Sequence, residues 1–169
     1  MNLLARFVGG LSQRLLAVLF AVSAAQFPIY FAAYENTVAG ARTEAEARFH
    51  ELQREAAQLQ LEVEAFIQRH EASTEEAFLA SGRIHRTTQA HYLRYTAMDD
   101  ALRAAPLWQR PLVLAQNFDP QLHAVMRFEP GLALTLEAGV YALIGLLLAW
   151  LMGSLIGRLW PENISNRSQ

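Results

Sequence analysis

LEAGVYALIGLLLAWLMGSLIGRLW, residues 136–160, decides the architecture. Its charged side chains are Glu137 at the start and Arg158 near the end. Between them run Leu136, Val140, Leu143, Ile144, Leu146, Leu147, Leu148, Leu151, Leu155 and Ile156, each favouring membrane insertion by about 0.3–0.6 kcal/mol. An α-helix needs about 20 apolar residues to cross a hydrocarbon core about 30 Å thick. A second stretch, LLAVLFAVSAAQFPIYFAAY at residues 15–34, carries no charge at all. Gln26 and Pro28 weaken it without disqualifying it, because membrane helices tolerate Pro where neighbours satisfy the freed carbonyl. The chain therefore reads as all-α, with two transmembrane helices at residues 15–34 and 134–158 flanking a polar middle at residues 35–130.

Orientation follows from the arginines. All fourteen basic residues are Arg. Arg6 and Arg14 precede the first span, and Arg158 and Arg167 flank or follow the second. The middle holds ten Arg against fourteen acids, but long loops count little in the positive-inside rule. Residues 1–14 and 159–169 are thus expected in the cytoplasm and the middle outside it, in the periplasm or exterior. The lack of Cys fits an oxidising side and fits chance equally. A signal peptide ending at Val22-Ser23-Ala24 is the competing reading of the N-terminus. Apolar character continues through Phe27, Ile29, Tyr30 and Phe31, which favours an uncleaved anchor.

Within the middle, Phe49, Leu52, Ala56, Leu59, Val63 and Phe66 recur at steps of three and four. That is an a/d seam, and it predicts a coiled-coil-like helix over residues 38–70. With Gly40 as the one interruption after Asn36, this helix is expected to continue the first span, from about residue 11 to residue 70. Ser73 and Glu76 suggest a capping box opening a helix that runs to about Ala105, with Ile84, Thr88, His91, Tyr95, Met98 and Leu102 as a more polar seam. Gly82 should make this the looser partner. A short link at residues 71–73 favours an extracytoplasmic antiparallel helical hairpin. Asp119-Pro120 reads as an N-cap and first helical residue.

Small residues recur four apart in both spans: Ala17, Ala21 and Ala25 in the first, and Gly145, Ala149, Gly153 and Gly157 in the second. Such rows let membrane helices approach closely, although Gly and Ala are also simply common there. Glu137 follows Thr135, so it reads as a first-turn acid favoured by the helix dipole.

Catalytic signatures are missing from the sequence. His50-Glu51 is followed by Arg54 and His70-Glu71 by Thr74, where a zinc-binding HExxH motif needs a second His. His85 and His91 fall on nearly opposite faces of a helix, and Asp99-Asp100 reads as a solvated face. There is no Gly-rich phosphate loop and no G-x-S-x-G. The expectation is a non-enzyme without cofactor or metal. A middle of net charge −4 argues against nucleic acid.

Two segments carry a family resemblance: Gln26-Phe27-Pro28 with Tyr34 and Glu44-Ala45, and the run from Phe128-Glu129-Pro130-Gly131 through Thr135-Leu136-Glu137-Ala138 to Tyr141-Ala142. Together they resemble the bacterial family catalogued as domain of unknown function 2937, short membrane proteins with a span at each end and a helical middle. The resemblance implies an inner-membrane location and no assigned activity. The expected partners are the lipid bilayer and either another protein or a second copy of the chain. The leading expectation is protein–protein interaction or membrane-complex assembly through the middle. The alternative is a membrane-anchored extracytoplasmic sensor or ligand-binding helical bundle acting through a partner.

Overall fold

The computed structural model describes residues 3–131 and 135–159, with side chains over 14–131 and 135–155. Every regular element among the described residues is an α-helix: α1 (Leu3–Ala25), α2 (Phe27–Gln58), α3 (Val63–Glu71), α4 (Glu76–Ala104), α5 (Arg110–Gln116), α6 (Pro120–Val125) and α7 (Leu136–Leu159). They fall into two compact units. The first comprises Met1–Tyr30 and Phe128–Gln169, the second Phe31–Arg127.

In the first unit α1 packs along α7. The run Arg14–Gln58 and the helix Leu136–Leu155 are each long and apolar enough to cross a membrane. At 1.5 Å per residue, the 24 residues of α7 extend about 36 Å. Thr135 caps α7, its Oγ1 accepting from the Ala138 amide at 3.1 Å, so Glu137 does lie in the first turn.

The expected helix over residues 11–70 is interrupted twice. Pro28 has no amide to give the ladder; the Gln26 amide turns back to Ser23 O at 3.2 Å, and the α-pattern resumes with Tyr30 N to Gln26 O at 3.0 Å. The second break follows Gln58. Gln60 takes φ 56°, Leu61 N bonds to Ala56 O at 3.0 Å and Gln60 N to Ala57 O at 2.9 Å. These two bonds make a Schellman motif, a helix stop that normally recruits Gly at its left-handed position. Here Gln fills it, so composition gave no warning.

That stop resets the seam. Leu52 and Ala56 of α2 bury together with Phe66 and Ile67 of α3, with Phe49, Leu61 and Val63 packed against them. Leu59, expected inside the seam, is 56 % exposed. Downstream, α4 meets α3 at Gly82, where an added Cβ would lie 2.9 Å from the Glu71 amide nitrogen. Gly82 thus permits a close approach, where the sequence had suggested a loose one. The capping box does not form: Ser73 Oγ accepts from Glu75 N at 3.1 Å, and α4 begins at Glu76 without a side-chain cap. Asp119 does cap α6, accepting from Gln121 N at 2.8 Å ahead of Pro120.

Candidate functional site

In the first unit the structure brings Gln26 and Phe27, from one segment of the family resemblance, against Gly131 and Tyr141 from the other. The Gln26 side-chain amide pairs with the backbone of Gly131 in both directions: Nε2 donates to Gly131 O at 3.0 Å, and Gly131 N donates to Oε1 at 3.2 Å. Around this pair, the Phe27 and Tyr141 rings lie 4.9 Å apart and Tyr30 meets Phe128 edge-on at 5.5 Å. A primary amide in an apolar helix is costly unless bonded. Gln26 meets that cost and ties the end of α1 to the segment leading into α7.

The small residues sort by depth. Gly145 and Ala149 are buried, Gly153 is half-buried, and the surroundings of Gly157 lie outside the described residues. A Cβ on Gly145 would come within 2.5 Å of Phe20 O and 2.9 Å of the Ala24 Cβ. Ala17, Ala21 and Ala25 are half-buried, but the residues touching Gly145 are Phe20 and Ala24, one step round the helix from the expected row.

In the second unit the polar groups are more organised than the sequence suggested. Asp99 is buried, not solvated. Its Oδ2 lies 2.6 Å from Arg42 Nη1 and its Oδ1 2.8 Å from Arg103 Nε. Burial alone would raise the Asp99 pKa, but the hydrogen bonds from Arg103 and Arg42 outweigh it and hold the carboxyl below its usual range. Asp100 stays exposed, with Arg42 at 3.2 Å. Tyr34 is fully buried; its Oη donates to Asn117 O at 2.8 Å and accepts from Asp119 N at 2.7 Å. That one hydroxyl fixes the α5–α6 connection to α2.

His70 and His85 were unpaired in the sequence reading, yet their rings stand edge-on 5.3 Å apart beside Phe66 and Phe78. His70 Nδ1 bonds Phe66 O at 2.9 Å and His85 Nε2 bonds Ser81 Oγ at 2.9 Å. Burial pushes the His85 pKa down; Glu55 opposes the shift and His70 adds to it. No group of three metal-ligating side chains assembles among the described residues.

Of the seam residues, Leu52, Ala56 and Phe66 are buried and Val63 is half-buried, while Phe49 stacks flat on Tyr92 at 4.5 Å and 6°. Rising numbers on α2 and α3 meet falling numbers on α4: Arg42 with Asp99, Phe49 with Tyr92, Glu64 and Glu71 with Arg86. On α2, Ala41, Glu44, Ala45 and Arg48 face an open cleft of about 460 Å³. Ile84, Thr88, His91 and Tyr95, expected to pack as the α4 seam, form its wall instead.

A protein whose described residues form only α-helices, two of them of membrane-crossing length and tied by an amide pair, is the class these features define. The chain belongs to the family described as Protein of unknown function (DUF2937), whose family model matches residues 9–164. Neither a curated protein nor a solved structure matches it.

Proposed function

We propose that the chain is a two-span inner-membrane protein whose extracytoplasmic helical hairpin contacts another protein, or a second copy of the chain, in membrane-complex assembly, without catalysis of its own. One observation carries the membrane placement. α1 and α7 turn their small residues toward each other and leave Leu15, Val18, Leu19, Leu143, Leu147 and Trp150 exposed. A continuous apolar exterior of that kind is stable against lipid and not against water. The arginine distribution supports both ends in the cytoplasm. Exposed Leu59 and Phe78, which share one surface recess, support protein contact through the middle.

The test is a reporter fused at Glu75 in cells, with photo-crosslinking from Leu59 and Phe78 of the full chain in membranes. An extracytoplasmic reporter and a discrete crosslinked product are expected. A cytosolic reporter, or a chain recovered without detergent, would overturn the topology. A monomer crosslinked to nothing would remove the interaction role.

The cleft between α2 and α4 supports a second reading, in which the middle binds a small ligand and passes the signal to a partner. Ligand sites are typically concave and about 300–1,000 Å³, and the cleft falls in that range.

A further inference from the structure

We propose that the α2–α4 cleft binds a small monoanion with an apolar body, a carboxylic acid carrying an aliphatic or aromatic tail. This deepens the second reading above. The cleft lies where α2 presents two small residues, Ala41 and Ala45, opposite the 83–95 stretch of α4. Its chemistry is two-sided. Ile84 and Leu122 with the two alanines supply apolar surface. The charged lining is Glu44, Arg48 and Arg83, a net charge of +1. Glu44 is already held by Arg48 at 2.5 Å. Arg83 forms no ion pair among the described residues, which leaves one uncommitted guanidinium at the cleft.

The hydroxyls of Thr87 and Thr88 donate to Arg83 O and Ile84 O at 2.9 and 3.1 Å, so they have no donor left for a ligand. Free donors therefore come from Arg83, with His91 and Tyr95 further along the wall. One uncommitted cation selects one negative charge, and the planar guanidinium fork matches a carboxylate. A polyanion would find too few partners. A purely apolar ligand would make no use of Arg83.

The experiment uses the full chain in phosphatidylcholine nanodiscs, titrated calorimetrically with 4-phenylbutyrate and with its uncharged amide, against empty nanodiscs. Saturable binding of the acid is expected, about tenfold tighter than the amide, since one charge-assisted hydrogen bond is worth roughly that factor. Arg83→Gln should remove that advantage and leave the amide unchanged; Ala41→Leu should fill the cleft and abolish both. Arg83 is exposed on α4, so its variant keeps the test decisive even where Ala41→Leu disturbs packing. Equal affinities for acid and amide, or an indifferent Arg83→Gln, would overturn the ligand class while leaving the sensing reading intact. No saturable binding of either compound would overturn both.

Discussion

The two units solve one packing problem with opposite materials. α1 and α7 pack tightly at Gly145, where an added Cβ would lie 2.5 Å from the Phe20 carbonyl oxygen. On the proposed membrane placement there is no hydrophobic gain in bringing the two helices together, so close van der Waals contact and a rare polar tie such as Gln26–Gly131 would carry the association. The second unit, at Phe31–Arg127, buries Phe31, Val38, Ile67, Met98 and Leu102 in its core. It holds α2 and α4 together through a ring stack and a buried carboxylate between two arginines. The first unit is therefore sensitive to added volume, and the second to lost charge.

The largest effect should come from the charge side. Replacing Arg42 and Arg103 together with Ala leaves Asp99 buried without its cations. Stranding a buried charge in this way typically costs about 3–5 kcal/mol. Chemical denaturation of the full chain should show it, and restoring neutrality with Asp99→Asn should recover much of the loss. Next comes the volume side. Gly145→Leu forces a side chain into the space held by Phe20 and Ala24, an overpacking worth about 1–3 kcal/mol. Cysteine pairs placed across α1 and α7 should crosslink less efficiently in that variant. Gly139→Leu is the control, because no atom lies within 4 Å of an added Cβ there. If both glycine variants behaved alike, the small-residue account of the first unit would fail.

How far the sequence discloses each unit follows the same division. Apolar length and small-residue spacing are local patterns, so α1, α7 and the burial of Gly145 can be anticipated from residues a few positions apart. The Thr135 and Asp119 caps are local too. What stays hidden depends on distant partners. Gln26 reads as a blemish in an apolar run until Gly131, 105 residues away, is seen to pair with its amide. Asp99 reads as solvated because nothing near it announces Arg42, 57 residues earlier. The heptad seam misleads past Leu59 for another reason: the periodicity is counted through a helix stop whose usual glycine is replaced by Gln60. The α4 seam is packed at Met98 and Leu102, which are buried, and open from Ile84 to Tyr95, where it lines the cleft instead.

A smaller effect tests whether the second unit's polar groups behave as electrostatics requires. Burial lowers the folded-state pKa of His85 below its ordinary value of 6.5. The unfolded chain then binds the proton more readily, so stability rises with pH through this window. The unit should be fully stabilised above about pH 6.5 and should lose stability as the pH falls below it toward the lowered folded pKa. Asp99 does not compete there, because its own depressed pKa costs stability only in the acid range below the ordinary carboxylate value. Amide exchange at residues 81–86 should accelerate between pH 7.5 and 5.5, and His85→Phe should flatten the response. An unchanged response in that variant would show that His85 is not its origin.

The smallest effect concerns the helix stop that resets the seam. An L-residue in the left-handed region costs roughly 1–2 kcal/mol, and Gln60 sits there with φ 56°. Glycine relieves that strain but loses more backbone entropy on folding, by about 0.5–1 kcal/mol, so Gln60→Gly should stabilise the full chain by about 0.5–1 kcal/mol. Gln60→Val should do the reverse, because a β-branched side chain fits the left-handed region worst. The gain is informative for its sign. If α2 ran straight through residues 59–62 as a coiled-coil helix, glycine would weaken it by about 1 kcal/mol. Thermal unfolding of the two variants therefore distinguishes a Schellman stop from a continuous seam, and with it whether Leu59 faces outward or into the core.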